Sequence, residues 1–93
     1  MPRSRATVAT EHGSRYLQQL CKHWGHKFAV DFTPTEGRID LGEGRIVELS
    51  ADDKALMLEL EADDIERLQQ VVVDHIVRFA FREELAFDWR PAG

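Results

Sequence analysis

The stretch that decides the fold is Phe28–Leu60, "FAVDFTPTEGRIDLGEGRIVELSADDKALMLEL". It reads by twos. Phe28, Val30 and Phe32 alternate with Ala29 and Asp31, and Ile39 and Leu41 alternate with Arg38 and Asp40. Val47 and Leu49 flank Glu48, and Leu56, Leu58 and Leu60 alternate with Met57 and Glu59. Such alternation marks strands with one buried and one wet face. Three turn signals separate four strands. In "TPTE" (33–36) Pro34 stands second, where its fixed φ suits a type I turn, and this pairs Phe32 with Gly37 and Val30 with Ile39. "GEG" (42–44) suits a three-residue hairpin loop with a left-handed glycine, which pairs Ile39 with Val47 and sets Arg38 opposite Glu48. "ADDK" (51–54) then pairs Leu49 with Leu56 and Val47 with Leu58. Each turn sets apolar against apolar, and a one-residue slip would turn a strand inside out.

Around this meander the period changes to that of helices. Tyr16, Leu17, Leu20, Cys21 and Trp24 form one helical stripe. Thr10 or Ser14 suits its cap, Glu11 suits its first turn, and Gly25 its stop. Ile65, Leu68, Val72, Ile76 and Phe79 form a second stripe in a helix expected from Ala62 to about Glu83, its start loaded with acid. "ATVAT" (6–10) offers a first strand with Val8 inward, and "AFDW" (86–89) a last one, ended by Pro91. Residues 1–5 read as a disordered tail and 6–91 as a single domain. The expected architecture is an α+β two-layer sandwich, an antiparallel sheet with two helices on one face, in the order β-α-β-β-β-β-α-β.

Composition narrows the function classes. The 93 residues carry 12 Lys plus Arg against 17 Asp plus Glu, a net charge of −5, which argues against binding nucleic acid because that begins with neutralising phosphates. No apolar run approaches a membrane span, and "MPRSR" is too short and too polar for a secretion signal. One cysteine makes no internal disulfide and no cysteine-rich zinc site, so a reducing, cytoplasmic setting is expected. "GEGR" (42–45) is a hairpin turn, not a dinucleotide glycine pattern, and there is no phosphate-binding loop.

Candidate chemistry gathers in "LCKHWGHK" (20–27). Cys21 and His23 project roughly 160° apart around a helix, so they form no nucleophile pair, and Cys21 belongs to the buried stripe. His23 and His26, three residues apart, share a side and border the apolar stripe with Tyr16 and Lys27. A metal shared by His23 and His26, iron or zinc, needs a third ligand from another element, and His75 on the second helix is the best placed; His12 is too distant. The plainer reading of these histidines is half-buried boundary residues bonded locally. Arg78 and Arg82, one helical turn apart, line an anion site with Lys27 if the helix ends converge, and are otherwise an exposed basic edge.

"SRYLQQLCKHWGHK" (14–27) followed by "HIVRFAFREELAFDW" (75–89) resembles the small bacterial family catalogued as domain of unknown function 2218, over about Ala6 to Pro91. On that pattern His23, His26 and Lys27 match the first motif, and Arg78, Phe79, Arg82 and Glu83 the second. Some members of the family are attached to, or encoded near, flavin-dependent siderophore-interacting proteins. The resemblance therefore implies a non-enzymatic accessory domain of iron or siderophore handling, which binds a small molecule or an iron-handling protein through Tyr16, His23, His26, Lys27, Arg78 and Arg82. Two other readings stand beside it: a small enzyme with His23 or His26 as general acid or base, and a module that self-associates through its sheet edge.

Overall fold

The computed structural model describes residues 2–92. The chain runs β1 (Arg3–Ala9), α1 (Gly13–Trp24), β2 (Ala29–Phe32), β3 (Glu36–Gly42), β4 (Arg45–Ala51), β5 (Ala55–Glu61), α2 (Ile65–Phe79) and β6 (Arg90–Pro91). Six strands form one antiparallel sheet in the order β2-β3-β4-β5-β1-β6. The α+β fold and the element order are those expected. The inward residues Val8, Ile39, Val47, Leu56, Leu58 and Leu60 meet Leu17, Leu20 and Cys21 of α1 and Leu68, Val72 and Ile76 of α2 in one buried core. Burying side chains of this kind supplies most of the drive to fold. With both helices on one face, the outer face of the sheet is left open.

Tyr16 at the start of α1 bonds to Glu83 beyond the end of α2, whereas His23 at the end of α1 packs on His75 and Phe79.

The first two turns set the register expected: Phe32 pairs with Gly37, Val30 with Ile39, Ile39 with Val47 and Arg38 with Glu48. The second is a two-residue turn, with Glu43 and Gly44 both at positive φ (57° and 78°). A register shift between Asp40 and Gly42, the latter also at positive φ (82°), sits beside it. The third turn differs. Leu49 pairs with Leu58 and Val47 with Leu60, not with Leu56 and Leu58, because the loop is Asp52–Lys54 and Ala51 stays in the strand opposite Leu56. The Asp52 carboxylate accepts from the N–H groups of Lys54 and Ala55, both at 2.8 Å, and so draws the turn one residue along. The strands thereby slide by two residues, a change that leaves every side chain on its own face.

Other boundaries move as well. The expected tail 1–5 is largely strand: Arg3 pairs with Glu59 at 2.9 Å, and Ser4 is buried, accepting a bond from Gln69 Nε2 at 2.7 Å. Met1 lies outside the described residues. The first helix begins at Gly13, so Glu11 precedes it, and Thr10 serves the chain just before it by accepting from the His12 N–H. A Cβ on Gly13 would lie 3.0 Å from the Ala55 carbonyl oxygen, so a side chain here would crowd the turn between β4 and β5. The second helix starts later because the Ala62 N–H donates to the Pro2 carbonyl and prolongs the strand, leaving Asp64 as cap. It ends at Phe79, because Glu83 is held by Thr10 and Tyr16 and the chain turns at Ala80 to reach them. The last strand is Arg90–Pro91 and not 86–89. Leu85, Phe87 and Trp89 alternate like a strand but spend that alternation on packing against the core.

Candidate functional site

The residues marked out by the sequence divide into three separate places. Tyr16 belongs to the structure. It is 3% exposed, and its hydroxyl donates to Glu83, which also accepts from Thr10 Oγ1 at 2.9 Å. Burial, reinforced by the neighbouring carboxylate, pushes the Tyr16 phenol up to about 12, while the phenol's hydrogen bond holds Glu83 below the usual carboxylate range. This clamp was not expected from the sequence, because Glu83 is 67 residues from Tyr16 and reads as part of a helix.

His23 and His75 do meet. Their ring centroids are 5.0 Å apart, and Trp24 stands 5.0 Å from His75. The His75 Nδ1–H donates to the Val71 carbonyl at 2.7 Å. His26 and Lys27 fall beyond the end of α1, in the exposed turn before β2. The helical spacing that grouped His26 with His23 therefore does not apply. Among the described residues, no three His, Cys, Asp or Glu side chains gather to hold a metal, and the expected His23, His26 and His75 trio is not assembled. Arg78 is exposed on α2 and Arg82 lies past its end, its guanidinium 5.2 Å from the ring centre of Phe81. Lys27, Arg78 and Arg82 are all exposed. Cys21 is wholly buried, and burial pushes its thiol up to about 11, which makes it a packing residue.

The open face of the sheet carries what the helix layer does not. Here a groove of about 830 Å³ crosses the strands between Arg5 and Thr7 on β1 and Phe32 at the end of β2. Such a volume lies within the range of small-molecule sites. Its floor follows a cross-strand row, Asp31, Arg38, Glu48, Glu59 and Arg5, which Arg90 continues on β6 beyond the groove. All six are charged. Glu48 and Glu59 stand directly opposite one another at the middle, an arrangement that costs stability unless cations relieve it. Arg3 at 2.9 Å and Arg5 at 3.6 Å relieve Glu59. Among the described residues, Glu48 and its other neighbour Arg38 make no ion pair within 4.0 Å. The groove thus sets one unpaired cation, Arg38, among the unpaired carboxylates of Asp31, Glu36 and Glu48.

The fold and this surface define a small two-layer α+β domain with a charged, open sheet face and, among its described residues, no helix long and apolar enough to cross a membrane. The chain belongs to the family described as uncharacterized protein conserved in bacteria (DUF2218), whose model matches residues 5–90. It is similar to a solved structure, the NMR structure of PA4090 from Pseudomonas aeruginosa, with 44% identity over 99% of this chain and 98% of that one and a TM-score of 0.80. No curated protein matches it.

Proposed function

We propose that this chain is a non-enzymatic accessory domain of iron or siderophore handling in the bacterial cytoplasm, binding a ferric chelate or the protein that carries one through the open face of its sheet. The observation that supports this reading is the groove over Arg38 and Glu48, two unpaired charges of opposite sign on a rigid strand pair. The link to iron comes from the family resemblance. The lining decides which chelate suits it. Arg5 and Arg38 stand among Asp31, Glu36, Glu48 and Glu59 on a chain of net charge −5, so a trianionic tris-catecholate is repelled overall. A neutral tris-hydroxamate, with carbonyl and N–O oxygens for the arginine and polar arms for the glutamate, fits both signs. The free thiol of Cys21 accords with a reducing compartment.

Calorimetric titration with gallium(III) tris-hydroxamate and gallium(III) tris-catecholate tests the reading. Saturable binding of the first, lost in Arg38→Glu, is the result expected. Absence of binding by either chelate, or equal binding by wild type and Arg38→Glu, would contradict it.

A further inference from the structure

The two edges of the sheet are not alike. At one edge β6 has two residues, one of them Pro91, and such an edge discourages further pairing. At the other edge β2 (Ala29–Phe32) has no strand beside it among the described residues, and it contains neither proline nor lysine. Its outward backbone groups can be assigned. The Thr33 N–H donates to the Glu36 carbonyl at 2.7 Å and closes the turn. Bonded and non-bonded pairs alternate along an antiparallel ladder, so the N–H and C=O of Val30 and Phe32 point away from β3.

We infer that β2 is a self-complementary edge that pairs with β2 of a second copy, antiparallel and centred on Val30. Facing residues of an antiparallel pair lie on one side of the sheet, so a two-fold axis allows centres only at a residue. Four centres are available, and centring on Ala29 leaves Val30 facing Phe28, whose N–H is already given to the Trp24 carbonyl at 2.9 Å. Centring on Phe32 brings Val30 opposite Pro34, which has no N–H to give. Centring on Asp31 sets that carboxylate against its own copy, a like-charge pair that destabilises a sheet. Centring on Val30 places Val30 against Val30, Phe28 against Phe32 and Ala29 against Asp31. This register uses the outward N–H and C=O groups of Val30, and it covers the exposed Phe32 ring (38%) with Phe28 of the other copy. The sheets then join into twelve strands. The two grooves come side by side, since Asp31 and Phe32 line each of them. The pairing stands whether or not the groove takes a chelate.

The experiment is sedimentation of the whole chain up to about 1 mM, a range that fills any dimer tighter than millimolar, with isotope-filtered NMR on a mixed labelled and unlabelled sample. The expected results are a rise to twice the chain mass and an intermolecular contact between the Hα atoms of Ala29 and Asp31, the close non-bonded pair of this register. Val30→Lys puts two ammonium groups on the axis and returns the monomer, as does Phe32→Lys at the more exposed position, which decides the matter should the first variant unfold. A wild-type chain that stays monomeric at that concentration overturns the proposal. So does a dimer without the Ala29–Asp31 contact, or one that persists in Phe32→Lys.

Discussion

The Tyr16 hydroxyl donates to the Glu83 carboxylate and ties the first turn of α1 to the chain that leaves α2. Between them stand Thr10, which donates to the same carboxylate, and His12, whose N–H is held by Thr10. Replacing Tyr16 with Phe keeps the packing and removes the bond, at a cost of about 1.5 kcal/mol, the lower end for a hydrogen bond to a charged group because Glu83 is partly solvated. Chemical denaturation of the two proteins measures this, and a loss below about 0.5 kcal/mol would mean that the clamp is ornamental.

The same pair predicts a pH dependence with two ends. Glu83 is held below the ordinary carboxylate range, first by the Tyr16 bond, so its contribution is present above that range and is lost as pH falls through the lowered value. Tyr16 is raised from 10.0 to about 12, first by burial, so its contribution is present below pH 10 and is lost as pH rises towards 12. The difference in melting temperature between wild type and Tyr16→Phe is therefore widest near neutrality and narrows at both extremes. A difference that stays flat with pH would contradict the linkage.

Gly37 lies under Cys21: a Cβ built on it would stand 2.8 Å from the Cys21 sulfur, which is buried and has nowhere to move. Gly37→Ala should cost about 1–3 kcal/mol by overpacking. Adding Cys21→Ala opens the space, so the double variant should be more stable than the sum of the single losses by at least about 0.5 kcal/mol. Additive losses would place the sulfur elsewhere. Leu58→Ala, which empties a site 1% exposed between β4 and β1, should cost about 2–5 kcal/mol.

How far these features are legible in the sequence depends on parity. The alternation from Phe28 to Leu60 assigns each residue to a face, and the turns at Pro34 and Gly44 set their registers. It cannot tell Leu49 opposite Leu56 from Leu49 opposite Leu58, since a slide of two residues leaves the faces alike. What decided that pairing was the Asp52 side chain capturing two backbone N–H groups. Helical periodicity locates Tyr16 to Trp24 but carries no information past the helix end, so it groups His26 with His23 although His26 belongs to a turn. The groove is harder still to read. Its row takes one residue from each of five strands, from Arg5 to Glu59, and only the strand order β2-β3-β4-β5-β1-β6 brings them into line.

His23→Gln combined with His26→Gln should change stability by less than about 0.5 kcal/mol, because both residues are exposed at the end of the helix layer. Chelate binding should be untouched, since neither lines the groove. A folded double variant that no longer binds would move the site from the sheet to the helices.

The most direct test of the central claim is a residue-by-residue amide map of the labelled chain titrated with gallium(III) tris-hydroxamate, a diamagnetic stand-in for the ferric chelate. The account predicts that shifts gather at Arg5, Arg38, Glu48, Ser50 and Met57 across the open face, while His23, His75 and Phe79 stay still. Shifts gathered instead around His23 and His75, with the sheet face silent, would contradict it.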